Sequence, residues 1–124
     1  MSVETNKAVV RDWMATRNTH DVEAAVALWA EEQRAGLRAS FNSFTQAFPD
    51  VQITIQEMIG EGDKVVILWT FQGTHRGSFQ GIPATGKIVD WDGLDLYTVT
   101  DGKITALTRK ADSRSLLQQL GVLP

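Results

Sequence analysis

Asp112 and His75 are the residues of this sequence best suited to proton transfer, because each closes an alternating apolar run, "ITALTRKAD" and "VVILWTFQGTH" respectively. Burial raises a carboxylate's pKa toward neutrality and makes it a general base, and an imidazole serves as acid, base or hydrogen-bond donor. Alternation groups Asp112 with Lys110, Thr108 and Ala106. Two readings follow for it: a buried base, or an N-cap for the segment "SRSLL", where Asp is strongly favoured. His75 is in register with Phe71 and Trp69 and either points into a cavity or is an ordinary surface or satisfied histidine. Trp69, Trp91 and Tyr97 carry polar handles on large apolar bodies, fit to line a pocket for a flat ligand and donate to an oxygen, or simply to fill a core.

Other chemistries lack their residues. His20 falls in the polar stretch "TRNTHD", which reads as solvent-exposed, and it is far in sequence from His75 with no paired carboxylates beside either, so no metal site is expected. "GEG" at Gly60 and "GIPATG" at Gly81 lack the strand-to-helix setting of a phosphate loop, and Ser43 in "FNSFTQ" has no nucleophile-elbow glycines.

The elements that must position these side chains divide the chain in two. Val9, Val10, Trp13 and Met14 form one helical face; Val22, Ala25, Val26 and Trp29 form a second behind Asp21, a plausible N-cap. Leu37, Phe41, Phe44 and Phe48 stripe a third helix that Pro49 ends. From Val51 the period becomes two: Val51, Ile53 and Ile55 alternate with polar residues, "VVILWTFQGTH" suits a central strand, and "TDGK" is a hairpin signal between "IVDWDGLDLYTV" and "ITALTRKAD". Four strands with short turns predict an antiparallel meander. A last short helix, "SRSLLQQLG", has Ser113 as a possible cap and Gly121 as its stop. Helices first and strands after predict an α+β domain whose helices pack on one face of a curved antiparallel sheet, a shape able to wrap an apolar cavity.

At 124 residues, with 43% hydrophobic and 22% charged residues, the chain fits one soluble domain spanning 1–124. It has no cysteine, which excludes disulfides, thiolate zinc and cysteine nucleophiles and is compatible with the cytoplasm. A net charge of −3 offers no footprint for nucleic acid. No apolar run is long enough to cross a bilayer, and "MSVETNKAVVRDW" is unlike a signal peptide, so a cytoplasmic location without membrane contact is expected.

The run "AFPDVQITIQEMIGEGDKVVILWTFQGTHRGSFQGIPATGK", followed by "LDLYTVTDGKIT" and "LLQQLG", resembles the SnoaL-like polyketide cyclase, or ester cyclase, family of the nuclear transport factor 2-like superfamily. The resemblance covers about the last two thirds of the chain. It implies a conical, barrel-like α+β fold around a deep apolar pocket, with "GTHRGSFQGIPATGK" as the crossing between two long strands. It also implies a cofactor-free, metal-free intramolecular aldol condensation of a polyketide ester. Asp112 matches the family's base, and Trp69, His75, Trp91 or Tyr97 would stabilise the enolate oxygen, with Phe71, Thr98 and Thr108 completing the substrate-binding set. Two departures stand out. A strand-and-loop segment usual between the second and third helices is shortened, since "ALWAEEQRAGLRASF" runs straight through. Thr108 and Arg109 replace a common tryptophan and acidic residue, and Thr98 stands where some cyclases carry a second histidine. A homodimer is expected. The alternatives are a non-catalytic apolar-ligand-binding or dimerisation module, with Arg109 and Lys110 pairing Asp112, or an isomerase, hydratase or epoxide hydrolase of the same superfamily.

Overall fold

The computed structural model describes residues 2–124. Helix α1 (Val3–Thr19) starts at a capping box in which the Thr5 backbone N–H donates to the Ser2 hydroxyl and the Ser2 N–H donates back to Thr5 Oγ1. It ends at His20, whose φ of 59° is a left-handed C-cap. Asp21 caps α2 (Val22–Ala27) by accepting from the Ala24 N–H, as its position predicts. A 3-10 turn at Glu31–Gln33 leads into α3 (Arg34–Ala47), which stops ahead of Pro49.

The expected meander is present: β1 (Gln52–Glu61), β2 (Lys64–Thr74), β3 (Ile88–Thr100) and β4 (Lys103–Ala111) pair antiparallel in sequence order, and α4 (Ser113–Gln119) follows. Asp101 and Gly102, both at positive φ, make the tight turn read from "TDGK". Bulges between Ile55 and Glu57 and between Thr98 and Val99 bend the sheet. Its concave face takes α1 and α3, so the core lies between Val10, Trp13, Met14 and Phe41 on the helices and Ile67, Trp69, Phe71, Trp91 and Tyr97 on the strands.

The segment between α2 and α3 packs onto the sheet. Trp29 bridges directly to β4, with the Ala30 N–H donating to the Ile104 carbonyl and the Ile104 N–H to the Leu28 carbonyl. Leu37, Phe41 and Phe44 of α3 then cover the space above the sheet.

Strict alternation along β3 decides which side chains meet the core. Val89, Trp91, Gly93, Asp95, Tyr97 and Val99 point inward, while Leu94 and Leu96 face out. A charged residue thus occupies a core position between Gly93 and Tyr97. Gly93 pairs with Trp69 across the β2–β3 ladder, and a Cβ there would collide with the Trp69 indole. The missing side chain lets that indole lie flat across β3. Gly93→Ala should therefore lower stability by about 1–3 kcal/mol, the usual effect of overpacking, as measured by thermal unfolding. An unchanged midpoint would refute this reading of Gly93.

Candidate active site

The concave face and the helices enclose a cavity of about 60 Å³, lined by Trp13, Met14, Arg17, Phe41, Phe44, Trp69, Phe71, Trp91 and Leu107 together with Asp95 and Arg109. Asp95 in this lining is a charged residue only 1% exposed. Four hydrogen bonds converge on it. Trp69 Nε1 (2.9 Å) and Arg109 Nε (2.7 Å) donate to Oδ1, and the Tyr97 hydroxyl (2.6 Å) and Arg109 Nη2 (2.9 Å) donate to Oδ2. Trp13 Nε1 in turn donates to the Tyr97 oxygen at 3.0 Å, which extends the network to α1. Asp95 and Arg109 stand directly opposite on β3 and β4, so strand register creates this bidentate pair.

The network explains its own electrostatics. Burial, then the neighbouring Asp95 charge and the hydrogen bond to it, push the Tyr97 phenol well above its ordinary value of 10.0. For Arg109, burial acts downward, but hydrogen bonding and attraction to Asp95 outweigh it and raise the guanidinium. Arg109 is the network's solvent-side member, with a side chain 35% exposed.

Arg17 is different. It continues the inward stripe of α1 one turn beyond Trp13 and is 7% exposed. Its guanidinium lies 4.6 Å from the Phe41 ring centroid, 5.6 Å from Phe44 and 5.7 Å from Trp13. Among the described residues no carboxylate pairs with it and no acceptor takes its N–H groups. Burial first, and then the charge of Arg109, lower it to about 10. The cavity therefore holds two cations and one anion.

Of the residues singled out from the sequence, Trp69, Phe71 and Trp91 line the cavity, and Tyr97 stands behind it through its hydroxyl. The tryptophan and tyrosine donors are not free for a ligand, however: Trp69 and Tyr97 donate to Asp95, and Trp91 Nε1 donates to the Asp112 carbonyl at 3.0 Å. The Asp112 carboxylate does not line the cavity. It is exposed and caps α4, accepting from the Ser115 N–H at 3.0 Å, so the cap alternative describes its position. Thr98 and Thr108 belong to the outer face, because Tyr97, Leu107 and Arg109 take the inward places beside them. Thr98 Oγ1 accepts there from Lys64 Nζ.

His75 is fully buried away from the cavity, against Phe48. Its Nδ1 accepts from the Thr85 N–H at 3.2 Å, and its backbone pairs with Lys87 and Gly86. It pins the glycine-rich crossing to the body of the fold. No cluster of three His, Asp or Glu side chains able to hold a metal ion is found among the described residues.

Asp95 and Arg17 were not singled out from the sequence, and Arg109, expected there to pair with Asp112, pairs instead with Asp95 across the β3–β4 ladder. Signals for the first two existed: Asp95 is in phase with Trp91 and Tyr97 at period two, and Arg17 lies at i+7 from Val10 on the Val10, Trp13, Met14 stripe.

Tyr97 is the only tyrosine in the chain, so phenolate absorbance reports on it alone. Because its folded-state pKa is raised, the fold gains stability below the unfolded value of about 10 and loses it as pH climbs through the folded value. An alkaline titration should show phenolate appearing well above pH ~10, together with loss of tertiary structure. Ionisation near 10 with the fold intact would contradict the buried network.

Comparison with known proteins agrees with this architecture. AclR from Streptomyces galilaeus, a proposed hydroxylase, is 27% identical with a TM-score of 0.90, covering 99% of this chain and 89% of its own. TsrD from Streptomyces laurentii is 25% identical with a TM-score of 0.92, covering 99% of each chain. IdmH from Streptomyces antibioticus, a proposed polyketide cyclase, is 25% identical with a TM-score of 0.82, covering 94% of this chain and 99% of its own. No curated protein sequence matches. The sequence profile of the SnoaL-like polyketide cyclases matches residues 7–120, nearly the whole α+β domain that encloses the cavity, and the chain belongs to that family, with the nuclear transport factor 2-like fold.

Proposed function

We propose that the protein is a cofactor-independent enzyme of the cyclase class that closes a ring by aldol-type condensation on an apolar, polyketide-type carbonyl compound. The observation that carries this reading is a carboxylate, Asp95, held inside an aromatic cavity and bridged to a partly exposed guanidinium, Arg109. All four acceptor positions of Asp95 are taken by groups of the chain itself. The reaction begins when Arg109 transfers its N–H groups from Asp95 to the substrate's carbonyl oxygen. Asp95, still fixed by Trp69 and Tyr97, then takes the proton from the carbon between two carbonyls, and Arg109 stabilises the enolate oxygen. The enolate carbon attacks a ketone of the same molecule, a carbon–carbon bond forms, and the new alkoxide recovers the proton from Asp95. Asp95 thus takes the role that the family resemblance assigns to Asp112.

A cavity of 60 Å³ holds a few waters rather than a ring system, so substrate binding needs one wall to move. The wall that moves is α3, which has no side-chain N-cap bond and contributes the half-buried Leu37 and Phe44. The outer sheet face, with Leu94 47% and Leu96 39% exposed, is proposed to close a homodimer; sedimentation as a monomer would remove this part.

A β-keto ester such as methyl benzoylacetate tests proton abstraction without knowledge of the natural substrate. In heavy water its α-proton exchange, followed by NMR, should be accelerated by the wild type. Asp95→Asn should slow the catalysed rate by about 10²–10⁴-fold, while Asp112→Asn leaves it unchanged. The opposite order would return the base to Asp112. No acceleration by the wild type would favour an apolar-ligand-binding module, a reading that the full occupation of Asp95's acceptor positions already supports.

A further inference from the structure

The donors of Trp13, Trp69, Trp91 and Tyr97 are all committed within the protein, and Arg109 is neutralised by Asp95. Among the described residues that line the cavity, Arg17 alone has a charge with no ion-pair partner. The macrodipole favours an arginine in the last turn of a helix, and the three ring faces attract the guanidinium. Neither contribution supplies an acceptor for the guanidinium's N–H groups. A neutral carbonyl offers one partner and no charge, whereas a carboxylate offers two oxygens and a full compensating charge in the geometry a guanidinium matches.

We propose that Arg17 is a carboxylate-binding subsite, and that the ligand of this cavity is an aromatic or polycyclic keto acid bound as its anion rather than a neutral ester. The inference rests on the reading of the cavity as the substrate site, and it narrows the substrate class. Phe41, Phe44 and Trp13, which surround the guanidinium, pack the ligand's apolar body, and the carboxylate lies against Arg17. The ligand's keto group is then left for Arg109. An enzyme of this specificity acts after the step that frees the acid, by hydrolysis of a thioester or ester, and before any step that methylates it.

Binding of 2-naphthoate and of methyl 2-naphthoate, two ligands alike in shape and different in charge, tests the proposal through quenching of the tryptophans that line the cavity. Wild type should bind the acid at least about tenfold more tightly than the ester. Arg17→Met should abolish that preference, and Arg17→Lys should keep part of it. Arg17→Met should also melt about 2–6 °C higher than wild type, because an unpaired buried charge has been replaced by an apolar chain of similar length. A structural arginine would give the reverse. Equal affinity of the wild type for acid and ester, an unchanged preference in Arg17→Met, or a less stable Arg17→Met would each overturn the subsite. These readouts are independent of proton exchange: failure of the β-keto ester assay removes the reaction assigned to Asp95 and leaves the subsite standing.

Discussion

The structure is organised around a carboxylate placed where a hydrophobic side chain would ordinarily sit. Asp95 is tolerable at the centre of the concave face only because Trp69, Tyr97 and Arg109 together fill its acceptor positions. A buried charge without such partners costs several kcal/mol, a large share of the stability of a domain this size. The need to satisfy one anion thus constrains several elements together. Gly93 must lack a side chain so that the Trp69 indole can cross β3, β4 must keep the register that sets Arg109 opposite Asp95, and α1 must hold Trp13 within reach of Tyr97.

The same network determines what the cavity offers a ligand. Three aromatic polar groups that look like free donors in the sequence are fixed by internal partners, so their contribution to binding is shape and apolar surface. Charge comes from the two arginines. Arg109 is half of an ion pair at the solvent edge; Arg17 is surrounded by rings and has no acceptor among the described residues.

Period and turn chemistry made most of the fold legible in the sequence. The helix stripes, the Pro49 stop, the "TDGK" turn and the four alternating strands all emerge from local rules, and the family resemblance supplied the cone that those rules alone do not specify. The site was less legible for a physical reason. Tertiary partners decide whether a charged residue faces in or out, and in "WDGLDLY" the apolar Leu94 and Leu96 point outward while Asp95 points inward. Hydrophobicity alone therefore inverts the right assignment. Asp112 is ambiguous in the sequence, since its place ahead of α4 fits both the base that the family resemblance implies and an N-cap, and in the structure its carboxylate caps α4. Arg17 sits beside the polar "TRNTHD" break and reads as part of it until the Val10, Trp13, Met14 spacing is carried one turn further.

The central claim is that Asp95 fixes the donors around it. It is tested most directly by the indole N–H signals of the tryptophans in nitrogen-15 NMR spectra of the wild type and Asp95→Asn. Trp69 donates to Asp95 itself, Trp13 reaches it through Tyr97, and Trp91 donates elsewhere, to the Asp112 carbonyl. The account predicts that Asp95→Asn shifts the Trp69 and Trp13 signals and speeds their exchange with solvent, while Trp91 stays in place. Trp69 and Trp13 signals unmoved by the substitution would contradict it.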